Sequence, residues 1–190
     1  MQQSMSNNRV VLAIVGMPGA GKSVACDYLA KKGYSVLRFG DATDQGVKEQ
    51  GLPLTEENER AYREKLRQEL GMAAYAIKIE PRINETLHSG VAIVVLDGLY
   101  SWEEYEYLIG KFPELKLLAV YAQPEIRYER LEKRTVRPLS REEARARDVA
   151  EIKNLNKGGP IAIADFLVTN NFDEAALTIQ LDQVLTDVLG

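Results

Sequence analysis

The sequence predicts a three-layer α/β fold, with a parallel sheet of about five strands between two layers of helices. Apolar stretches of strand length alternate with amphipathic helical stretches along the chain, which is the order that builds parallel sheets. Residues 91–96 are continuously apolar and end at Asp97, as expected of a central strand covered on both faces. A glycine-rich turn, 16–23, follows the first predicted strand and precedes the first predicted helix.

Strands and helices are assigned in order from apolar periodicity, caps and turns. The predicted strands are 10–15, 34–39, 91–97, 115–122 and 165–170. The predicted helices are 24–32, 56–79 with a weak point at Gly71, 81–88 starting at Pro81, 102–110 after Ser101, 124 to the break before Arg137, one starting after Ser140, and 173–189. Residues 51–54 are assigned to a turn and residues 156–160 to a turn or loop.

The glycine-rich turn fits the phosphate-binding pattern G-x-x-x-x-G-K-[ST]. Its glycines let backbone N–H groups surround phosphate oxygens, and the next helix adds the positive end of its dipole. Lys22 is expected to reach the β- and γ-phosphates, and the Ser23 hydroxyl to bind Mg²⁺. An ordinary glycine-rich turn is the alternative. The residues expected to bind the nucleotide here are Gly16, Pro18, Gly19, Ala20, Gly21, Lys22, Ser23 and Val24.

Acidic residues follow two of the predicted strands, at the sheet edge where α/β proteins bind ligands. Asp97 is expected to bind Mg²⁺ beside Ser23, directly or through water, unless it is a surface acid that ends a strand. Asp41 and Asp44 follow the second strand, and Asp41 is the stronger candidate to face the phosphoryl acceptor. The alternative for this pair is a turn or a helix cap.

Residues 125–147 are rich in arginine, with seven arginines and one lysine against five glutamates. Arginine is suited to bidentate contacts with phosphate, so a mobile lid is one interpretation. The other is a solvated helix face with ion pairs between neighbouring turns. Arg134 and Arg137, near the predicted break, are the candidates for a catalytic role.

Length and composition limit the remaining possibilities. The chain has 190 residues, a net charge of −4 and one cysteine, Cys26. These values predict a single domain without a disulfide framework, and they argue against nucleic-acid binding through bulk electrostatics. No apolar run is long enough to span a bilayer, and the polar lead-in 1–8 lacks the apolar segment of a signal peptide. A cytoplasmic location is the expectation.

The length of the segments between strands predicts how the domain is divided. The core is assigned to about 9–40, 90–124 and 150–190, a helical acceptor-binding insertion to about 41–89, and the lid to about 125–149.

From about Arg9 onwards the chain resembles the P-loop kinases of the dephospho-coenzyme A kinase and nucleoside-monophosphate kinase group. The most specific parts are the turn 16–23, the stretches 130–134 and 139–145, and Ala164-Asp165-Phe166-Leu167-Val168-Thr169-Asn170. The resemblance implies a P-loop NTPase fold with ATP and Mg²⁺ as cofactors. It also implies that Asn170 and Asn171 lie near the adenine.

The resemblance leaves the acceptor open, because two features depart from the group's usual pattern. The opening Gly40-Asp41 and the pair Arg147-Asp148 look closer to adenylate-kinase-related proteins of unsettled substrate. Dephospho-coenzyme A is the first hypothesis, and a nucleoside or deoxynucleoside monophosphate is the alternative. A regulatory ATPase that binds a protein partner is the hypothesis from another class. The nucleotide preference and the oligomeric state are not predicted.

Overall fold

Five parallel strands form one sheet in the order β2-β3-β1-β4-β5. The computed structural model describes residues 9–190, so the predicted lead-in 1–8 lies outside the described residues. The strands are β1 (Val10–Val15), β2 (Ser35–Arg38), β3 (Ile93–Asp97), β4 (Leu115–Tyr121) and β5 (Phe166–Thr169). The predicted α/β class and its parallel sheet are confirmed.

Nine helices connect these strands within residues 9–190. They are α1 (Lys22–Lys31), α2 (Asp41–Glu49), α3 (Glu56–Leu70), α4 (Ala74–His88), α5 (Trp102–Lys111), α6 (Pro124–Lys133), α7 (Arg141–Leu155), α8 (Gly158–Ala162) and α9 (Glu174–Leu189). No helix among the described residues is long and apolar enough to cross a membrane.

The sheet separates two apolar cores. On one face, Ile79 and Ile83 of α4 and Leu108 of α5 pack against the strands. On the other face, Leu29 of α1 and Leu177 of α9 do the same. Every residue of β1 is buried, because helices cover both sides of this central strand.

The strand register brings the predicted phosphate loop and Asp97 to the same edge of the sheet. β1 lies between β3 and β4, and Ile14 is paired with Asp97 across the parallel ladder. Residues 16–21 therefore leave β1 directly beside the end of β3. This is the carboxyl edge, where open α/β sheets bind ligands.

The predicted boundary between the two helices of the insertion is wrong. The chain breaks at Gly71, which has φ +76°, rather than at Pro81, which lies inside α4. Glycine adopts a positive φ without steric cost. A proline inside a helix costs about 3 kcal/mol, and burial of Ile79, Ile83 and Leu87 on the same helix offsets it.

Two helices are not among the predicted ones, and the second lies in a segment assigned to a turn or loop. Asp41 begins α2, and Gly158 begins the short helix α8. The buried residues of α2 are Thr43, Gly46 and Val47, a pattern too short and too polar to indicate a helix by periodicity alone.

Candidate active site

The phosphate loop requires glycine at three positions. Gly16, Gly19 and Gly21 have φ values of +149°, +76° and +102°. A Cβ atom at Gly16 would lie 2.4 Å from the carbonyl oxygen of Val120, and one at Gly21 would lie 2.1 Å from Asn170 Nδ2. These glycines therefore serve two purposes, since they permit the turn and they let the loop pack against β4 and β5.

Lys22 is folded back onto its own loop. Its Nζ donates hydrogen bonds to the carbonyl oxygens of Gly16 at 2.8 Å and Met17 at 3.2 Å. Burial is the main cause that lowers the pKa of Lys22 to about 7, and the positive charge of Lys157 acts in the same direction. Glu151 and Asp97 oppose this shift. The ammonium group thus lies among two acids and a second lysine, at the place where phosphates are expected.

Asp97 and Ser23 offer oxygen atoms of the type that Mg²⁺ prefers. Burial raises the pKa of Asp97, and its nearest cation is Arg38, with Nε 3.8 Å from Oδ2. Within residues 9–190 there is no group of three or more histidine, cysteine, aspartate or glutamate side chains that could bind a metal by themselves. The donor set fits a cation that takes its remaining ligands from water and phosphate, as Mg²⁺ does.

A buried ion pair that the sequence analysis missed is hydrogen-bonded to the phosphate loop. Arg127 of α6 donates two hydrogen bonds to Asp148 of α7, at 3.0 and 2.6 Å, and a third to the carbonyl oxygen of Pro18 at 2.9 Å. Tyr128 donates to the same carboxylate at 3.0 Å. Arg127 and Asp148 are 5% and 7% exposed. The two residues are 21 positions apart in a stretch full of charges, so no spacing rule indicated the pair.

Asn170 also contacts the phosphate loop. Its Nδ2 donates a hydrogen bond to the carbonyl oxygen of Ala20 at 2.9 Å, and its backbone carbonyl oxygen accepts one from the Arg130 guanidinium group at 2.9 Å. Asn171 Oδ1 accepts a bond from the backbone N–H of Gln123 at 2.8 Å. The two asparagines thus join the ends of β5 and β4 to the loop, while their expected position near an adenine stays a prediction.

A cleft of about 550 Å³ opens between α2, α3, α7, the end of β2 and the segment that follows β3. Six arginines and four acids line it, along with Tyr75 and Tyr100. The arginines are Arg38, Arg63, Arg67, Arg134, Arg137 and Arg147. The acids are Asp44, Glu56, Glu59 and Glu151. Such a concentration of guanidinium groups is suited to a ligand with phosphate groups.

Arg134 and Arg137, predicted from the break after α6, both line this cleft. Arg134 Nε donates to the carbonyl oxygen of Arg137 at 2.5 Å. Burial, together with the charges of Arg147 and Arg137, lowers the pKa of Arg134. Arg137 has φ +54° and forms ion pairs with Glu56 and Glu59 of α3. The segment after α6 therefore contacts α3 across the cleft.

Asp41 and Asp44 both lie in the first turn of α2. Asp44 lines the cleft, whereas Asp41 lies outside its wall and accepts a hydrogen bond from Arg82 of α4 at 3.0 Å. Arg38 is 4.0 Å from the other carboxylate oxygen of Asp41. Both acids border a more open depression on the surface of α2. The acceptor-facing role of Asp41 stays a prediction.

The end of β3 leads to a buried charged cluster that the sequence analysis also missed. Lys157 is 2% exposed, is ion-paired with Glu151, and lies 4.8 Å from the centre of the Tyr100 ring. Arg147 Nε donates to the other oxygen of Glu151 at 2.9 Å. Lys157 stands in a glycine-rich turn, and nothing in its neighbours along the chain signalled burial.

Glu104 supports the segment that carries Tyr100. Its Oε2 accepts hydrogen bonds from the backbone N–H groups of Tyr100 at 2.6 Å and Ser101 at 3.2 Å, and the Ser101 hydroxyl accepts one from Glu104 N–H at 3.0 Å. Ser101 and Glu104 thus form a capping box at the start of α5. Burial raises the pKa of Glu104 to about 7, although the two backbone N–H groups oppose the shift.

Comparisons with known proteins agree with this fold. The family model described as "AAA domain" matches residues 12–153. A UPF0200 protein of Pyrococcus abyssi is 36% identical over 166 residues, covering 85% of this chain and 88% of that protein.

Solved structures of kinases share the architecture. Shikimate kinase from Bacteroides thetaiotaomicron matches with a TM-score of 0.58 and 13% identity, covering 95% of this chain and 98% of that one. Dephospho-CoA kinase from Campylobacter jejuni matches with a TM-score of 0.56 and 16% identity, covering 95% and 97%. At these identities the likeness shows the fold alone. The chain has the P-loop NTPase fold, belongs to the UPF0200 family, and contains an AAA domain.

Proposed function

We propose that the protein is a kinase that transfers the γ-phosphoryl group of ATP to a nucleotide-like acceptor, with dephospho-coenzyme A as the first candidate. The observation that carries this proposal is the position of the arginine-lined cleft. It opens at the carboxyl edge of the sheet, where the phosphate loop also lies, and the charges of its residues Arg147 and Glu151 act on Lys22 of that loop. Four of the cleft arginines are paired with acids, but Arg67 and Arg134 form no ion pair within residues 9–190. A small neutral acceptor would leave these two without an anion, whereas an acceptor with its own phosphate would pair with them.

The residues of the phosphate loop would bind and neutralise the triphosphate. Lys22 would leave the carbonyl oxygens of Gly16 and Met17 and contact the β- and γ-phosphates. Mg²⁺, bound by Ser23 and Asp97, would supply charge neutralisation at the same phosphates. Asn170 and Asn171, at the end of β5, are proposed to border the adenine.

The cleft would bind and orient the acceptor. Arg134 and Arg137 are proposed to move towards the transferred phosphoryl group and to exclude water. Asp41 is proposed to contact the acceptor from the start of α2, in exchange for its present bond to Arg82. The proposed transfer depends mainly on positioning and charge, because phosphoryl transfer requires little covalent chemistry from the protein.

The test is ADP release from ATP and Mg²⁺ in the presence of dephospho-coenzyme A or of single ribo- and deoxynucleoside monophosphates, with Lys22→Ala as the blank. Acceleration by one acceptor, with phosphate recovered on that molecule, supports the proposal and identifies the substrate. Acceleration by a nucleoside monophosphate would replace the first candidate with the alternative. A slow rate that no acceptor changes would contradict the proposal and favour the regulatory ATPase.

A further inference from the structure

The cluster of Arg147, Glu151, Lys157 and Tyr100 lies where the cleft meets the phosphate loop. Glu151 and Arg147 line the cleft, and so does Tyr100, three residues after Asp97. Because β3 is the neighbour of β1, the segment from Asp97 to Tyr100 leaves the sheet beside the phosphate loop. The charges of Glu151 and Lys157 both act on Lys22. The cluster therefore faces the place where the acceptor and the triphosphate would meet.

Glu151 is held in one orientation by a cation on each oxygen. Arg147 Nε donates to Oε1 at 2.9 Å, and the Lys157 ammonium group is paired with Oε2. The Glu151 side chain is 13% exposed, so it still opens onto the cleft. Each carboxylate oxygen has two lone pairs, so Glu151 can accept one more hydrogen bond from a hydroxyl group.

The other acids of the cleft are placed differently. Glu56 and Glu59 lie on α3 and are paired with Arg63 and Arg137. Asp44 lies in the first turn of α2. None of these three is among the charges that act on Lys22, whereas Glu151 is.

The ion pair itself is costly to bury. Lys157 is 2% exposed, and burying two charges costs free energy that a well-packed apolar pair would not. Stability alone is therefore a weak explanation for a lysine and a glutamate at these positions. A catalytic role would explain the buried pair, because the pair keeps a carboxylate ionised and immobile at the cleft. Burial by itself raises the pKa of Glu151, but Lys157 and Arg147 outweigh it and leave that pKa below its ordinary value.

We propose that Glu151 is the carboxylate that orients the attacking hydroxyl group and receives its proton, and that Arg147 and Lys157 position it. This inference rests on the proposed kinase function. The hydroxyl oxygen forms a bond to the γ-phosphorus while the bond from that phosphorus to the β–γ bridging oxygen breaks. The hydroxyl proton passes to Glu151, and ADP leaves with the bonding electron pair. The attacking group is the acceptor hydroxyl or, in its absence, water.

The experiment compares Glu151→Gln, Lys157→Met and the double variant. Glutamine keeps the size of the side chain and replaces the basic carboxylate with a neutral amide. It also leaves Lys157 buried without its charged partner. The double variant removes both charges, since methionine is close to lysine in shape and apolar, and it therefore separates catalysis from folding. Glu142→Gln is the control, because Glu142 is an exposed acid on the same helix. ADP release is measured with the acceptor panel and without acceptor, and affinity is measured by calorimetry with a non-hydrolysable ATP analogue.

The expected result is a loss of about 100-fold or more in the rate for both Glu151→Gln and the double variant. The affinity for the ATP analogue is expected to stay within about threefold of the wild-type value, and Glu142→Gln to match the wild type.

Three results would overturn the role of Glu151 and leave the kinase proposal standing. The first is a near-normal rate in Glu151→Gln, and the second is a loss of analogue affinity in parallel with the rate. The third is recovery of the rate in the double variant, which would show that the pair is structural. Failure of the proposed function looks different. If the wild-type protein transfers phosphate from ATP neither to an acceptor nor to water, the kinase proposal fails, and the inference fails with it. If it hydrolyses ATP but ignores every acceptor, the kinase proposal fails while the variants still test Glu151 with water.

Discussion

Arg127 and Asp148 form a buried bidentate ion pair, and the same guanidinium group donates a hydrogen bond to the carbonyl oxygen of Pro18 in the phosphate loop. Its Nε also donates to the carbonyl oxygen of Ala122 at 3.2 Å. One side chain thus joins α6, α7, the end of β4 and the loop. The position of the phosphate loop and the packing of α6 against α7 therefore both depend on Arg127.

Asp148→Asn is expected to destabilise the fold and to weaken nucleotide binding. The substitution leaves the Arg127 charge buried without its carboxylate, and breaking a buried pair in this way costs about 3–5 kcal/mol. Urea denaturation measures the free energy of unfolding, and calorimetry with the ATP analogue measures the affinity. Glu129→Gln is the control, because it disrupts the exposed pair with Lys133 on α6 and should change neither quantity appreciably. Equal effects of the two substitutions would contradict the structural role of the buried pair.

Gly159→Ala is expected to disturb the first turn of α8, which Lys157 caps. A Cβ atom at Gly159 would lie 2.5 Å from Cε3 of the Trp102 ring, whereas one at Gly158 would meet nothing within 4 Å. We expect Gly159→Ala to destabilise the protein by about 1–3 kcal/mol and to slow ADP release. Gly158→Ala is the neighbouring control and should leave both measurements close to the wild-type values. Similar thermal unfolding curves for the two variants would contradict this prediction. They would show that the Trp102 ring moves aside without a loss of stability.

Glu104 is expected to make stability depend on pH. The pKa of Glu104 is about 7 in the folded protein against an ordinary value of 4.5, so the folded state binds more protons than the unfolded chain between these values. The contribution of Glu104 is therefore present below pH about 4.5 and is lost as the pH rises to about 7 and above, a change of about 3 kcal/mol.

Glu104→Gln removes this dependence and keeps an oxygen acceptor for Tyr100 N–H and Ser101 N–H. The measurement is the difference in free energy of unfolding between the wild type and Glu104→Gln at pH 5 and at pH 8. We expect the variant to gain stability relative to the wild type at the higher pH. A difference that does not change with pH would mean that Glu104 keeps an ordinary pKa.

The sequence predicted the parts of the site that follow from a local pattern. Gly16 to Ser23 satisfy a spacing rule, and Asp97 ends an apolar strand, so the sheet topology alone brings them together. The ion pairs Arg127–Asp148 and Glu151–Lys157 depend instead on how α6, α7 and the turn after α7 pack against the rest of the site. In the sequence these residues are charges in charged or glycine-rich stretches, which are typical of solvent-exposed surface. Only the packing shows that they are buried.

Arg67→Ala is expected to weaken acceptor binding without affecting ATP. Arg67 lines the cleft from α3 and lies 5.7 Å from the centre of the Tyr75 ring. Its Nε is buried without a hydrogen-bond partner, and the side chain forms no ion pair within residues 9–190. An anionic acceptor group would satisfy it, and a hydrogen bond to a charged group is worth about 1.5–3 kcal/mol. For the acceptor that accelerates ADP release, we expect KM to rise about tenfold to 100-fold while KM for ATP stays the same.

Arg60→Ala is the matched control for this measurement, since Arg60 lies two turns earlier on the same helix with its side chain 72% exposed and paired with Glu64. It removes the same charge from α3 without reaching the cleft, so it should leave both KM values unchanged. If Arg60→Ala and Arg67→Ala raised the acceptor KM equally, the effect would come from the net charge of the helix. If Arg67→Ala raised the KM for ATP instead, Arg67 would belong to the nucleotide site and the cleft would not be the acceptor site.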